Sequence, residues 1–234
     1  MTIRLITFDL DDTLWDVRPA LHSAELVLRE WLAGNAPRLA DFSIEALGAI
    51  RQMLIEREPA LKHRISELRR RVLLHALSNA GYPANQAGEL AEQGFQVFLE
   101  ARHGVQVYPD VQPTLEFLAN HYTLGVITNG NADVRRLGLA DYFQFTLCAE
   151  ELGIGKPDPK PFREALRLGG VDAGQAVHVG DHHEDDIFGA QQAGLRAIWY
   201  NPEHKVWSQT HRPDAEIHSL GELPHRLLAW GKGG

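Results

Sequence analysis

The first apolar run of the chain is short and ends in a cluster of acids. It extends from Ile3 to Phe8, contains β-branched and aromatic residues, and is interrupted by one charge, at Arg4. A run of this length and composition predicts a buried β-strand. The segment that follows it, Asp9-Leu10-Asp11-Asp12-Thr13-Leu14, places three carboxylates within four residues. The hydrophobic pattern therefore predicts that this acidic segment begins where the first strand ends.

Residues 16 to 104 have a helical period throughout. Apolar residues recur there at intervals of three and four in four sets, and this spacing predicts four helices that each bury one face. The sets are Leu21, Ala24, Leu28, Trp31 and Leu32; Leu47, Ile50 and Leu54; Ile65, Leu68, Val72 and Ala76; and Leu90, Ala91, Phe95, Phe98 and Leu99. We expect Ser43 to cap the second helix, Pro59 to limit it and Gly81 to end the third.

From Tyr108 onward, short apolar runs alternate with helical segments. The expected strands are Tyr122–Ile127, Phe143–Cys148, Ala176–Val179 and Leu195–Tyr200, and the expected helices are Thr114–Ala119, Phe162–Leu168 and Ile187–Ala193. This alternation implies βαβ crossovers and a parallel sheet, which the first strand must join because four helices cannot bury a lone strand. We predict an α/β fold: a doubly wound parallel sheet (1–15 and 105–234) with an inserted all-helical domain (16–104). Gly231–Gly234 is expected to fray.

Composition narrows the class of protein. The formal charge of −8 over 234 residues argues against a nucleic-acid partner, because nucleic-acid-binding domains usually present a basic face. No apolar stretch approaches the length of a membrane span, so we expect no membrane partner. The single cysteine, Cys148, excludes an internal disulfide and fits a reducing compartment. These features predict a cytoplasmic protein and leave its oligomeric state open.

The acidic segment has two explanations. It is either a solvated turn without a further role, or a cation site at the carboxyl end of a central strand, because clustered carboxylates repel one another and are costly to desolvate. Three further polar clusters favour the cation site, since each follows an expected strand or lies in a loop at the same edge of the sheet. They are Thr128 with Asn129; Lys156 in Gly155-Lys156-Pro157-Asp158-Pro159; and Asp181 with Asp185 and Asp186.

Together the four clusters supply the groups that phosphoryl transfer requires, since that chemistry depends on positioning and charge neutralisation. In order, they resemble the four signature motifs of the haloacid dehalogenase-like (HAD) hydrolase superfamily. These are Asp-x-Asp-x-Thr after a strand, a strand-terminal Ser or Thr, a Lys often followed by Pro, and Gly-Asp with a second acid a few residues on. The resemblance covers the whole chain, because the helical insertion matches the family's cap domain. Each motif alone is weak, whereas the ordered set is specific.

The resemblance implies roles for the reacting groups. Asp9 is expected to attack phosphorus and form an aspartyl-phosphate, and Asp11 to protonate the leaving alcohol and then deprotonate water. Lys156 is expected to neutralise Asp9 and the phosphoryl oxygens. Thr13, assigned to substrate binding, either orients Asp11 or stabilises the turn. These four side chains are expected to act together at the end of the first strand.

The resemblance also implies a phosphate site and a metal site. Thr128 is expected to bind a phosphate oxygen, with backbone N–H groups at Asn129 and Gly130 nearby. The expected Mg²⁺ site comprises Asp9, Asp11 through its backbone carbonyl, Asp181 and Asp186. Asp186 is expected to hold either waters of the metal or Lys156, and Asp185 is the alternative to it. His182 and His183 depart from the family pattern, and His182 is either a group close to the metal or a loop residue.

Asp11 separates two branches of the family. The branch that cleaves carbon–halogen bonds lacks an acid two residues after its nucleophile, since release of halide needs no proton donor whereas release of an alkoxide does. Asp11 therefore favours hydrolysis of a phosphate ester, a small-molecule substrate. The alternatives are a phosphomutase, a haloacid dehalogenase, and a non-catalytic binding protein that retains the fold.

Substrate contacts are expected from the helical domain, which in this branch closes over the site as a cap. The candidates are Arg64 and Arg69 foremost, with His63, Arg70 and Arg71 beside them. A basic run on a helix is more often a solvated face. The stretch from Glu58 to Arg71, with Thr128–Ala132, resembles a subgroup that acts on 5-amino-6-(5-phospho-D-ribitylamino)uracil. The natural substrate is not determined by these residues.

Overall fold

The chain divides into two compact units in the computed structural model, which describes residues 2–39 and 44–231. The sheet unit comprises the residues up to Asp16 and from Gln106 onward, and the helical unit comprises Val17–Val105. The helical unit is thus inserted between the first strand and the rest of the sheet. Ser43, expected to cap the second helix, and residues 232–234 of the expected C-terminal tail lie outside the described residues.

The sheet unit is built on six parallel strands. They are β1 (Leu5–Phe8), β2 (Thr123–Thr128), β3 (Phe145–Cys148), β4 (Ala176–Gly180), β5 (Arg196–Tyr200) and β6 (Ala215–Ile217). Their order across the sheet is β3-β2-β1-β4-β5-β6, and every neighbouring pair is parallel. All four residues of β1 are buried, and the strand pairs with β2 on one side and β4 on the other. The predicted α/β fold is confirmed, including the first strand's place in the sheet.

The helical unit contains four long helices in its described part. They are α1 (Arg18–Asn35), α2 (Ile44–Arg57), α3 (Ile65–Asn79) and α4 (Ala84–Arg102), with short 3₁₀ segments at Pro37–Leu39 and Pro59–His63. Helices α1 and α3 pack against α4, and α2 packs against α3. Their apolar faces form a separate core that includes Leu28, Leu73 and Phe95. The predicted all-helical insertion is confirmed.

The helix ends follow the sequence signals, but one expected core residue does not. Helix α2 ends at Arg57, shortly before Pro59. Gly81 follows α3 with φ of +82°, a conformation that glycine adopts without steric cost. Leu21, expected on the buried face of α1, is 37% exposed. The buried stripe of α1 instead runs through Ala20, Ala24 and Leu28 at intervals of four residues.

The remaining helices belong to the sheet unit. They are α5 (Val111–Ala119), α6 (Ala149–Leu152), α7 (Pro159–Gly169), α8 (Gly189–Gln192) and α9 (Leu223–Gly231), with a π-helical turn at His183–Phe188. Helices α7 and α8 join Phe162 and Ala190 to a core that also contains Leu5 of β1. The sequence pattern does not predict α6, β6 or α9. Within the described ranges, no helix is both long and apolar enough to cross a membrane.

The strand order reverses at β1, and this determines where a site can form. The chain leaves β1, adds β2 and β3 on one side, and then returns to add β4, β5 and β6 on the other. Ligands of open α/β sheets bind at the carboxyl ends of the strands at such a reversal. Asp9 directly follows β1, Thr128 ends β2, and Asp181 directly follows β4. The topology therefore brings three of the four polar clusters to one edge.

Candidate active site

Asp9 begins the turn that follows β1. Its backbone N–H donates to the carbonyl oxygen of Val179 in β4 at 2.9 Å, which fixes the start of the turn to the sheet. The N–H of Leu14 donates to the carbonyl oxygen of Leu10 at 2.8 Å and closes the turn. Asp12 has φ of +61°, a left-handed conformation that aspartate tolerates better than most residues. The Asp9 carboxyl is thereby held at the sheet edge, where the residue is only 9% exposed.

Lys156 lies between two buried carboxylates. Its Nζ donates to Oδ1 of Asp9 and to Oδ1 of Asp186, both at 2.6 Å, and its side chain is 2% exposed. Burial alone would lower the pKa of the Lys156 ammonium, but Asp186 and Asp9 together hold that pKa above its usual value. Burial raises the pKa of Asp9 well above its usual range, against the attraction of Lys156. One ammonium thus compensates two carboxylates.

The backbone of Lys156 is held by Asn129. The N–H of Lys156 donates to Oδ1 of Asn129 at 2.8 Å, and Nδ2 of Asn129 donates to the carbonyl oxygen of Lys156 at 2.9 Å. A Cβ at Gly155 would overlap the Asn129 side chain, so the close approach requires glycine. Asp158 then begins α7 by accepting the backbone N–H of Lys160 at 2.8 Å. The Asn129 side chain therefore positions the catalytic candidate Lys156.

Thr128 ends β2 with a buried hydroxyl. Its Oγ1 accepts the backbone N–H of Gly130 at 2.9 Å. The N–H of Gly130 was expected to lie near a phosphate oxygen, but in this structure it donates to the Thr128 hydroxyl. A hydrogen bond from this N–H to substrate stays a prediction. Cys148 donates from Sγ to the Gly130 carbonyl oxygen at 3.3 Å, and burial raises the pKa of its thiol. Thr128 therefore fixes the loop that follows it.

Three carboxylates form a cluster that fits a hard divalent cation. One oxygen each from Asp9, Asp181 and Asp186 lie within 4.8 Å of one another. Burial, together with Asp186 and Asp12, raises the pKa of Asp181 to about 7. A single ammonium does not balance three carboxylates, and carboxylate oxygens are the ligands that Mg²⁺ prefers. The donor set and its unbalanced charge therefore fit the expected Mg²⁺.

Thr13 contacts an acid other than the one expected. Its Oγ1 donates to Oδ1 of Asp181 at 3.3 Å, and its side chain is buried. The carbonyl oxygen of Asp181 accepts Nε1–H of Trp199 at 2.9 Å. The contact that the structure shows for Thr13 orients a metal candidate, and its expected role toward substrate stays a prediction.

Of the two neighbouring acids in the fourth cluster, Asp186 is the one in contact with Lys156. The backbone N–H of His182 donates to Oδ2 of Asp186 at 2.9 Å. Asp185 instead accepts Nδ2–H of Asn129 at 3.2 Å.

The two histidines of this cluster have structural contacts. The His182 ring accepts the backbone N–H of Asp185 at 3.1 Å, so it caps the π-helical turn. His183 packs at 4.4 Å between ring centroids against Trp207.

His178 is a buried member of the site that the sequence analysis did not single out. It lies within β4, and its Nδ1 is 2.8 Å from Oγ1 of Thr7 while its Nε2 is 3.0 Å from Oδ1 of Asp186. Burial lowers the pKa of the imidazole, against the pull of Asp186, so the neutral ring is favoured. The sequence signal for His178 is a polar residue inside an apolar strand, a pattern that does not identify its partners.

Asp11 is held by an aromatic residue of the same turn. Nε1–H of Trp15 donates to Oδ1 of Asp11 at 2.8 Å, and Trp15 is fully buried. Because Trp15 is immobilised by its surroundings, its indole N–H limits the orientations open to the Asp11 carboxylate. The acid/base candidate therefore has a fixed partner that the sequence motif does not include.

The basic candidates of the helical unit are paired within that unit. Nη1 of Arg69 donates to Glu25 at 2.7 Å, and its guanidinium lies 3.5 Å from the Phe98 ring centroid. Nη1 of Arg64 is 3.8 Å from Glu58. Further pairs join Arg70 to Glu92 and Arg71 to Glu58 and Glu67. The substrate contacts expected of Arg64 and Arg69 stay predictions.

Comparisons with known proteins address the family to which the whole chain is similar. Residues 3–194 match the family model for haloacid dehalogenase-like hydrolases. The chain is 35% identical over 225 residues to the 5-amino-6-(5-phospho-D-ribitylamino)uracil phosphatase YigB of Escherichia coli (strain K12), with 94% of each chain covered. It is 64% identical to a crystal structure described as 2-haloacid dehalogenase from Pseudomonas syringae pv. Tomato DC3000, at a TM-score of 0.97, covering 98% of this chain and 100% of that one.

A third comparison concerns metal binding. The magnesium-bound HAD-hydrolase YfnB of Bacillus subtilis is 29% identical, with a TM-score of 0.69 and coverage of 97% of this chain and 100% of that one. The family model spans most of this chain, and the E. coli relative covers nearly all of it. The resemblance inferred from the four motifs is thereby confirmed: the chain belongs to the haloacid dehalogenase-like hydrolase family.

Proposed function

We propose that this hydrolase is a Mg²⁺-dependent phosphomonoesterase that acts on a small phosphorylated metabolite through an aspartyl-phosphate. The main observation that supports this proposal is the buried position of Lys156 between Asp9 and Asp186, with the Asp181 carboxylate in the same cluster. A site that combines a carboxylate nucleophile with an ammonium and a cation site can neutralise the charge of a phosphoryl group.

In the first step, an oxygen of Asp9 attacks phosphorus and the bond from phosphorus to the leaving oxygen breaks. Burial disfavours the ionised nucleophile, and Lys156 opposes this effect through its contact at 2.6 Å. Bound Mg²⁺, held by the three carboxylates and the Asp11 carbonyl, would supply further neutralisation of Asp9 and of the phosphoryl oxygens. Lys156 also offers its charge to the phosphoryl group as the Asp9 charge is consumed.

Asp11 handles the protons of both steps. It gives a proton to the leaving alkoxide, and then takes one from the water that attacks the phosphorus of the aspartyl-phosphate and regenerates Asp9. Trp15 keeps the Asp11 carboxylate in place through its indole N–H. Thr128 is the proposed contact for a phosphate oxygen, since its hydroxyl ends β2 at the same sheet edge.

The first substrate to test is 5-amino-6-(5-phospho-D-ribitylamino)uracil. The E. coli phosphatase named for it shares 35% identity over nearly the whole of both chains. We propose that residues of the helical unit select the substrate, with Arg64 ahead of Arg69. Arg64 has the weaker ionic partner, at 3.8 Å, whereas Arg69 is paired at 2.7 Å and stacked on Phe98.

Dehalogenation is the second candidate, since the chain is 64% identical to a structure described as a 2-haloacid dehalogenase. Two features of the site would be left without a use in that reaction. A cluster of three carboxylates that fits a divalent cation serves a phosphoryl group, whose charge must be neutralised, more than a carbon–halogen bond. Displacement of halide also has no use for Asp11 as a proton donor. Phosphate ester hydrolysis uses each of these groups.

The test is a parallel assay of phosphate and halide release. The substrates are p-nitrophenyl phosphate, a panel of phosphorylated metabolites that includes the ribitylaminouracil phosphate, and 2-chloropropionate. We expect phosphate release that is lost with EDTA and in Asp9→Asn, and retained in the control Asp141→Asn, whose residue is exposed. Halide release that persists in EDTA would establish the dehalogenase instead.

Two further outcomes separate the remaining alternatives. A phosphorylated isomer formed in place of free phosphate would identify a phosphomutase, because that enzyme uses the same nucleophile and acid. If no substrate of the panel is turned over with any divalent metal, the catalytic proposal fails and a binding role is left.

A further inference from the structure

A chain of buried side-chain contacts connects Thr7 in β1 with Asp9, which directly follows that strand. Oγ1 of Thr7 lies 2.8 Å from Nδ1 of His178, and Nε2 of His178 lies 3.0 Å from Oδ1 of Asp186. The same Oδ1 accepts from Nζ of Lys156, which also donates to Asp9. Thr7 and Asp9 are two residues apart, so one side chain of β1 is linked through β4 to the nucleophile.

The chemistry of these groups fixes where the hydrogens lie. A carboxylate only accepts, so the contact between His178 and Asp186 requires a hydrogen on Nε2. In the neutral ring Nδ1 is then an acceptor, and the Thr7 hydroxyl donates to it. The other acceptor near this hydroxyl, the carbonyl oxygen of Val177, lies farther away, at 3.4 Å. Thr7 therefore selects the ring tautomer that can hold Asp186.

We propose that His178 is a positioning residue: its Nε2–H holds the Asp186 carboxylate in the orientation that keeps the Lys156 ammonium on Asp9. This inference rests on the proposed phosphatase function. Oδ2 of Asp186 accepts the backbone N–H of His182 at 2.9 Å, so the carboxylate is fixed at both oxygens.

The position of Lys156 depends on Asp186 because two carboxylates compete for one ammonium. An Asp186 free to turn would draw Nζ with it, away from Asp9. The His178 N–H also takes up part of the negative charge of Asp186, which leaves more of the Lys156 charge for Asp9 and the phosphoryl oxygens. His178 thus acts on the reaction only through Asp186.

Two amide substitutions distinguish the role of Nε2 of His178 from that of Nδ1. In His178→Gln the side-chain NH₂ can reach the position of Nε2 and donate to Asp186, whereas the shorter side chain of His178→Asn reaches only the position of Nδ1. We expect kcat to fall about tenfold or more in His178→Asn with KM within about twofold, and to stay within about threefold in His178→Gln. Thr7→Val should lower kcat less than His178→Asn.

Val177→Ala is the control for stability, because Val177 is a buried apolar neighbour in β4. It should lower the melting temperature without changing kcat. Equal losses of kcat in the Asn and Gln variants that follow their melting temperatures would overturn the proposal and leave a packing role. Unchanged kcat in His178→Asn would also overturn it.

A readout without turnover separates this inference from the proposed function. NMR of the wild-type chain labelled with ¹⁵N in histidine reports which ring nitrogen of His178 carries hydrogen. We expect hydrogen on Nε2, whether or not the protein hydrolyses any phosphate ester. A ring without hydrogen on Nε2 cannot donate to Asp186, and this result would overturn the inference even in an active phosphatase.

Discussion

Charge balance at single residues determines what this site can do. Lys156 is almost fully buried and compensates Asp9 and Asp186 at 2.6 Å each. Removal of one member of a buried ionic group leaves the others uncompensated in a medium of low polarity. We therefore expect the same contacts to contribute to folding stability and to the proposed reactivity of Asp9.

Lys156→Met should lower both the folding stability and the activity of the protein. We expect kcat to fall by about 100-fold or more, and the free energy of unfolding at neutral pH to fall by about 3 kcal/mol. Initial rates and urea denaturation measure the two effects. The control is Lys160→Met, since Lys160 is exposed and its Nζ donates to an uncharged acceptor, the Leu152 carbonyl oxygen, at 3.3 Å. If both variants behave alike, the charge argument for Lys156 is wrong.

Trp15→Phe should act selectively on proton transfer. The variant keeps an aromatic ring in the buried position but lacks the N–H that holds Asp11. A poor leaving group depends on a positioned acid, whereas p-nitrophenolate departs without one. We expect kcat/KM to fall about tenfold for an alkyl phosphate and by less than about twofold for p-nitrophenyl phosphate.

The matched control for that substitution is Trp31→Phe, in α1 of the helical unit. It should leave the ratio between the two substrates unchanged. Equal losses on both substrates in Trp15→Phe would show that the indole only supports packing.

The end of β4 shows how an element places a side chain. Gly180 ends this strand, and a Cβ there would overlap the carboxyl group of Asp186. The backbone approaches Asp186 so closely because the π-helical turn His183–Phe188 follows at once. A π-helical turn is common at functional sites, where it shifts the register of a side chain.

Gly180→Ala should therefore displace Asp186 and with it Lys156. We expect loss of most activity and a fall in the free energy of unfolding of about 1–3 kcal/mol, as in other overpacked positions. In Gly88→Ala, a control on the exposed face of α4 with open space around the glycine, we expect a gain of about 0.5–1 kcal/mol. Thermal and urea unfolding measure both. A tolerated alanine at position 180 would contradict the close approach.

The sequence predicted the elements with a strong period and missed those without one. The four helices of the insertion contain the apolar sets that predicted them, and strands β1 to β5 begin and end within about two residues of their expected bounds. Strand β6 has three residues and helix α6 has four, and elements this short cannot show a hydrophobic period. Leu21 was misplaced because the buried stripe of α1 includes the small Ala20, which a search for large apolar residues undervalues.

Motif residues were easier to find than their partners. Asp9, Thr128, Lys156 and Asp186 were identified from local spacing, and the structure brings three of them into direct contact. The contact of His178 with Asp186 joins residues whose neighbourhood depends on the turn after β4. Side-chain partners of this kind follow from tertiary structure, and a single sequence carries no period or spacing for them.

Taken as a whole, the sheet unit concentrates negative charge at one edge. Asp9, Asp181 and Asp186 share that edge with one ammonium, and the formal charge of the chain is −8. Folding without a cation must therefore protonate a carboxylate or accept repulsion. We therefore predict that stability, metal binding and pH are linked in this protein.

Mg²⁺ should stabilise the fold more at pH 7.5 than at pH 5. Without metal, the pKa of Asp181 is about 7 in the folded chain against a usual 3.8, with burial as the main cause. Between these values the folded chain keeps a proton that the unfolded chain has lost, so the stability of the metal-free protein falls as pH rises from about 4 to about 7. Asp9, whose pKa is also raised, acts in the same direction.

Bound Mg²⁺ favours the ionised carboxylates and removes this loss, so the rise in Tm on addition of Mg²⁺ should grow with pH across that window. Thermal unfolding at several pH values, with Mg²⁺ or with EDTA, measures it. Asp181→Asn removes the titrating group and should reduce both the rise and its pH dependence, whereas the control Asp172→Asn should not. An equal rise at pH 5 and pH 7.5 would mean that the metal does not bind at the expense of these protons, and that the three carboxylates are not its ligands.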